Sequence, residues 1–350
     1  MSYVNCGNFK TSYEKDAELF QTKLSRFLIY AFITALFAVP FFLGDYLLYV
    51  MNLIFIAVIG AVGLNILTGF TGLISLGQGA FMGVGAYAAG YLSVTYGLPF
   101  FLAIPAAGLI TAVFGAFFGI PSLRLKGLYL SIATLAAQFI IEFGFIRLEF
   151  ITGGVTGLSI DYASFLGYEI DSDFSFYFLA LVLCIIMTLA GVNMMRTRAG
   201  RAFLSIRDNY IAAEAMGINL FRYKLTSFAI SSFYAGVAGS LWAYYTTIIT
   251  PENFTIGVSI QYLSMIIIGG LGSILGSIFG AVFIVILPEV LQSFSDWAGG
   301  YYPNLTQIIG SIKEGVFGLV IILFLMFEPE GMVRRWRLIK AYWKLWPFSY

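Results

Sequence analysis

Histidine is absent from all 350 residues, and with it go the commonest general base, proton relay and metal ligand of proteins. Charge is scarce as well: 11% of the chain is Asp, Glu, Lys or Arg, against the roughly 25% of an average protein. No G-x-x-x-x-G-K-[ST] run occurs, so the sequence offers no phosphate loop for hydrolysing ATP by itself. Gly83-Val-Gly85-Ala-Tyr-Ala88 matches the loose dinucleotide pattern, but it lies in an apolar run with no acidic residue some 20 positions on. The two cysteines, Cys6 in a polar tail and Cys184 in an apolar run, make a poor disulfide pair. A formal net charge of +1 gives no argument for nucleic acid. These absences lead us to expect no enzyme activity, no metal and no cofactor.

What is there is apolar. Hydrophobic residues make up 60% of the chain and mean hydropathy is +0.90, values of an integral membrane protein. The apolar residues come in long runs rather than in the roughly ten-residue alternating segments of barrel strands, so the expected fold is an all-α polytopic membrane protein. A spanning helix needs about 20 apolar residues. On that ruler about ten candidates fall near 27–44, 46–68, 71–97, 99–120, 127–148, 175–195, 225–249, 256–270, 273–292 and 305–327. Some are short or separated only by Gly and Pro punctuation, so broken helices are expected among them.

Orientation follows from the basic residues, which stay cytoplasmic in short loops. Segment 196–224 holds Arg196, Arg198, Arg201, Arg207, Arg222 and Lys224 against Asp208 and Glu214, six minus two, or +4. The tail from 328 onward has five basic residues against two acidic ones, whereas 149–174 has five acidic residues and no basic one. Ten spans with both termini inside satisfy every loop. The expected division is a cytoplasmic tail over 1–26, a transmembrane unit over 27–327 with a cytoplasmic loop at 196–224, and a basic cytoplasmic tail over 328–350. The apolar run at 27–44 is long for a signal peptide, has no small-residue cleavage pattern, and is expected to stay attached.

Between Gly63 and Gly90 the chain reads GLNILTGFTGLISLGQGAFMGVGAYAAG, eight glycines threaded with Asn65, Ser75, Gln78 and Tyr87. Glycine lets helices approach closely or break, and lone polar groups at membrane depth are costly unless they face protein or a water-filled path. Two readings stand: helix packing glue, or the wall of a translocation pathway. Gln138 and Glu142 lie one helical turn apart and share a face. An acid inside a span marks a candidate site, although Glu142 lies nearer the outer end and can also reach water. Gly72-Leu73-x-Ser75 recurs as Gly270-Leu271-x-Ser273, a match of the kind glycine-rich sequence yields by chance. The loop from Arg196 to Lys224 interleaves Phe203, Leu204, Ile206, Ile211, Ala215 and Met216 with charge, as one or two short amphipathic helices do, and Gly217 supplies a C-terminal stop. It reads either as an interfacial helix on anionic lipid or as a dock for a cytoplasmic partner that carries an ATP site.

The run GLNILTGFTGLISLGQGAFMGVGAYAAGYL, LRLKGLYLSIATLA from Leu123, the loop RAGRAFLSIRDNYIAAEAMGINLFRYKLTSFAIS, SMIIIGGLGSILGSIFGAVFIVILPEVL and the tail EPEGM together resemble the permease subunits of branched-chain amino acid ABC importers, LivM type. The resemblance covers about residues 46–333. It implies an inner-membrane permease working with a second permease, two cytoplasmic ATPase subunits and an extracytoplasmic solute-binding protein. It also implies a coupling role for 198–219, with Arg201, Arg207, Asp208, Glu214 and Gly217 as candidates; Ala213-Glu214-Ala215-Met216-Gly217 stands where the general EAA-x-x-x-G pattern falls. The expected pathway residues are Asn65, Ser75, Gln78, Tyr87, Gln138, Glu142 and Ser273, around a cavity bordered by 63–90 and 262–285. Rival readings are a related permease for urea or short amides, an ion-coupled secondary transporter using Glu142, and a non-transporting membrane scaffold.

Overall fold

Lipid offers no partner to backbone N–H and C=O groups, so apolar runs of this length close their hydrogen bonds within helices. The computed structural model describes residues 23–122, 127–165, 168–299, 315, 318–319, 321–324, 326–327 and 331–345. The helices are α1 (Lys23–Ala38), α2 (Asp45–Asn65), α3 (Gln78–Tyr96), α4 (Phe100–Ser122), α5 (Leu128–Arg147), α6 (Asp173–Arg196), α7 (Arg198–Asp208), α8 (Tyr210–Ala215), α9 (Leu220–Thr246), α10 (Ile256–Gly269), α11 (Ile274–Gly299) and α12 (Met332–Leu345). Among the described residues, five stretches are long and apolar enough to cross a membrane: Asp45–Phe70, Phe100–Pro121, Tyr129–Arg147, Asp173–Arg196 and Ile274–Ser293. The expected span at 305–327 lies mostly outside the described residues, as do 1–22 and the basic pair Arg124 and Lys126.

The central helix is α9, packed against α4, α3 and α2. Neither α9 nor α3 is among those five stretches, because helices wrapped by protein need not be lipophilic. Small residues bring their backbones together: a Cβ at Gly85 would run into the backbone of Gly236, and one at Gly239 into that of Met82. This is the packing role of glycine that membrane interfaces favour.

Two departures from uninterrupted spans position the site. α2 ends in a π-helical turn, Ile66–Phe70, after which the chain runs irregularly to Gln78, so α3 starts seven residues later than the sequence run 71–97. Gly72, at φ +75°, breaks the helix there. α3 therefore begins beside the C-terminal half of α2, where Gln78 Nε2 donates to the Gly60 carbonyl at 3.0 Å. α10 is also short, 14 residues, and it begins at the same level, since Ser259 Oγ accepts the Gly79 N–H at 2.8 Å. From that shared level the two helices leave in opposite directions. α3 runs toward the end of the bundle that holds the 149–170 segment, and α10 toward the end that holds α7 and α8.

The described residues are almost entirely helical, as expected, with two short strand pairs beside the helices. Leu158–Ser159 (β1) pairs antiparallel with Ile248–Ile249 (β4), and Ala163–Phe165 (β2) with Tyr168–Ile170 (β3). α5 ends at Arg147, one more helical turn runs over Glu149–Thr152, and Gly153, Gly154 and Gly157, all at positive φ, then let the chain turn into short extended pieces.

Candidate translocation core and coupling loop

Gln138 is fully buried and binds three elements at once. Its Oε1 accepts the Ala80 N–H of α3 at 2.8 Å and the Ser259 hydroxyl of α10 at 3.1 Å, while its Nε2 donates to the Phe254 carbonyl just before α10 at 2.7 Å. With Gly79 N–H on Ser259 and Ala80 N–H on Gln138, two of the unpaired first-turn N–H groups of α3 are satisfied by side chains. The result is a polar knot at mid-bundle. Ser75, also buried, accepts only the Gly77 N–H, at 3.3 Å.

A second polar cluster lies at the α7 end. Asn65 Nδ2 donates to the Ser273 carbonyl and to Ser277 Oγ, both at 2.8 Å, and Asn65 Oδ1 accepts the Gly272 N–H at 2.9 Å. Asn65 thus fastens the end of α2 to the α10–α11 turn. Arg207 of α7 reaches the same place: its Nη1 donates to the Gly69 carbonyl at 3.0 Å, and its side chain lies against Gly72 and Gly272. Its Nε and Nη2 hold Asp208 Oδ1 at 3.0 Å, an exposed pair with side chains 37% and 66% accessible and worth at most about 1 kcal/mol.

Tyr87 and Glu142 differ from the rest. The Tyr87 hydroxyl and Glu142 Oε2 are sealed from solvent without a hydrogen-bond partner. The Tyr87 ring packs on Phe145 at 4.7 Å and Phe254 at 6.4 Å between centroids, beside a crevice of about 530 Å³ lined by Val84, Phe114, Ile141 and Phe145. Glu142 is half-buried, one turn beyond Gln138 on α5.

The loop folds as two amphipathic helices. Ala202, Phe203, Ile206 and Ala213 are buried, whereas Ile211, Met216 and Phe221 stand exposed at the tip. Asn209 caps α8 through Ile211 and Ala212, and Asn219 caps α9 through Arg222. Gly217, at φ +84°, closes α8 with its N–H on Glu214 and the next N–H on Ala213. Glu214 and Gly217 line a cavity of about 640 Å³ with Tyr210, Phe221 and Lys224. Arg201 turns away and donates to the Arg196 carbonyl at 3.2 Å.

Of the residues singled out in the sequence, Gln78 and Gln138 join the mid-bundle knot, Asn65 and Ser273 join Arg207 at the α7 end, and Glu214 and Gly217 share the tip. Ser259 escaped sequence reasoning because a serine in an apolar run looks ordinary and its partner Gln138 lies 121 residues away.

A multi-pass helical membrane permease, with discontinuous helices meeting in its core, is the class these features define. The chain belongs to the branched-chain amino acid transport permeases: residues 46–325 match the family described as branched-chain amino acid transport system, permease component. The high-affinity branched-chain amino acid transport system permease protein LivM of Salmonella typhimurium is 30% identical over 336 residues, covering 89% of this chain and 76% of that protein. The LivM protein of Escherichia coli K12 is 30% identical over 335 residues, with 89% and 75% covered. The probable branched-chain amino acid transport permease protein LivH of Methanocaldococcus jannaschii is 29% identical over 291 residues, covering 78% and 86%. No solved structure matches the chain.

Proposed function

We propose that this chain is a permease subunit of an ATP-driven importer that passes branched-chain or other hydrophobic amino acids inward. The observation that carries the reading is Arg207. An amphipathic helix outside the bundle sends a guanidinium into the junction where the broken end of α2 meets the α10–α11 turn. A push on α7 therefore acts on both elements at once. The exposed Ile211, Met216 and Phe221 supply the apolar tip that a partner would grip.

In this account 196–224 is cytoplasmic, ten spans cross the inner membrane of a bacterium, and both termini lie inside. Two ATPase subunits seat on α7 and α8, a second permease lies alongside in the bilayer, and a solute-binding protein delivers substrate from outside. No covalent chemistry is needed. ATP binding shifts the permease pair between outward- and inward-open states, and it can do so only through differential affinity for the two. Moving such an equilibrium from 1:99 to 99:1 takes roughly 5.5 kcal/mol. The Arg207 hydrogen bond to Gly69, worth about 1 kcal/mol for a side chain 37% accessible, supplies part of that.

Vesicles test this directly. Alone, the chain should accumulate no labelled leucine; with the second permease, ATPase subunits and loaded binding protein, uptake should require ATP and be competed by isoleucine and valine. Competition by urea or short amides instead would reassign the substrate. Uptake by the chain alone that follows an ion gradient would refute the reading.

A further inference from the structure

All of the charge on α12 is of one sign. Between Met332 and Leu345 the sequence holds Arg334, Arg335, Arg337, Lys340 and Lys344 and no acidic residue, whereas α7 and α8 mix Arg201 and Arg207 with Asp208 and Glu214. Helical spacing sorts α12 into two sides. Arg334, Arg337 and Lys340 follow one another at three-residue steps on one side, all exposed. Trp336, Ile339 and Tyr342 follow at the same step on the other, with Leu338 beside Tyr342, and these four are between 49% and 72% accessible. Arg335 lies on that second side, where a long stem carries its charge toward water. The start of the helix is held against the bundle. A Cβ at Gly331 would meet the Gly270 backbone at 2.7 Å, Val333 is buried, and the Trp336 ring packs on Phe279 of α11 with centroids 5.8 Å apart.

Phe279 shares a face of α11 with Leu275, Ile286 and Val290, all exposed, on a stretch long and apolar enough to cross a membrane. At 1.5 Å per residue it lies about 7–8 Å along the axis from the start of that helix, the depth at which aromatic residues belt a bilayer. An apolar, aromatic side and a basic side on one helix at that depth are the features of a helix lying in the membrane plane, its apolar face sunk to the boundary between headgroups and acyl chains. We propose that α12 lies in the leaflet at the α7 end of the bundle, with Trp336, Ile339 and Tyr342 in the acyl boundary and Arg337 and Lys340 on the phosphates of anionic phospholipids. Charge argues for that occupant: an anionic leaflet presents the one sign that the basic side attracts, and α12 has no carboxylate to repel it. Through Gly331 the seated helix pins the α10–α11 turn to the membrane surface, the same turn that Asn65 and Arg207 reach. The inference is independent of the importer reading and needs only that the chain spans a bilayer.

The test uses the full-length chain in lipid vesicles, in a Cys6→Ser, Cys184→Ala background. Ile339→Cys, Tyr342→Cys and, at the exposed loop tip, Met216→Cys each carry a nitrobenzoxadiazole fluorophore, read against aqueous iodide and against a nitroxide-labelled phospholipid. In vesicles of mixed phosphatidylcholine and phosphatidylglycerol, the probes at 339 and 342 should be quenched by the lipid nitroxide and shielded from iodide, and the probe at 216 the reverse. Each basic residue at an anionic surface is worth roughly fivefold in binding, so Arg337→Gln together with Lys340→Gln should shift the balance from seated to lifted helix about 25-fold. Phosphatidylcholine alone, or high salt, should loosen the native helix in the same direction without any substitution. Iodide quenching at 339 and 342 equal to that at 216 would overturn the proposal. So would shielding that is indifferent to phosphatidylglycerol and salt, or shielding that arises only when ATPase subunits are added, which would make the face a protein dock.

Discussion

The two polar clusters of this protein use similar chemistry under opposite conditions. At mid-bundle Gln138 is fully buried with three hydrogen bonds; at the α7 end Arg207 holds Gly69 and Asp208 with over a third of its side chain in solvent. A buried amide that loses its partners leaves orphaned groups in a low-dielectric interior, whereas an exposed guanidinium exchanges a backbone carbonyl for water at modest cost. The first arrangement suits a rigid joint and the second a lever. The joint ties α3, α5 and α10 together, and under the proposed function the lever would transmit motion to the bundle.

The comparison breaks most sharply at the joint. Gln138→Ala leaves the Ala80 N–H and the Phe254 carbonyl unpaired and should cost about 2–5 kcal/mol, read as loss of thermal stability in detergent. A cost under about 1 kcal/mol would mean that the knot is not structural. Glu142→Gln, which keeps shape and removes charge, should leave stability nearly unchanged and lower leucine uptake by the complete importer about tenfold; unchanged uptake would remove Glu142 from the route. The smallest effect belongs to Asp208→Asn. Because that carboxylate is 66% accessible, stability should shift by no more than about 0.5 kcal/mol and uptake should hold, and a large loss would show that the lever needs its ion pair.

Much of the architecture was legible because lipid imposes a length rule on apolar runs. The starts of α2, α4 and α11 fall within one residue of the spans read from sequence. The two short helices of the loop and the stop at Gly217 were visible in the alternation of apolar residues with charge, and Phe203 and Ile206 are buried as that pattern expects, whereas Ile211, Ala215 and Met216 stand exposed and the buried residue of α8 is Ala213. The glycines marked breaks correctly but not where the helix resumes: α3 restarts at Gln78, whose amide finds Gly60, a partner no local pattern announces. Which side of a helix faces inward was also hidden. Gln78 and Gln261 look alike in sequence, a glutamine in an apolar run, yet one is buried and the other exposed. Helices that are apolar all round carry no periodicity to separate core from surface.

The most direct test of the lever is the ratio of leucine uptake to ATP hydrolysis in vesicles containing the complete importer, compared for the native chain, Arg207→Ala and Arg207→Lys. The account predicts that Arg207→Ala keeps hydrolysis within about twofold while uptake per ATP falls roughly fivefold, as expected for losing about 1 kcal/mol, and that Arg207→Lys restores part of it. An unchanged ratio in Arg207→Ala would contradict it.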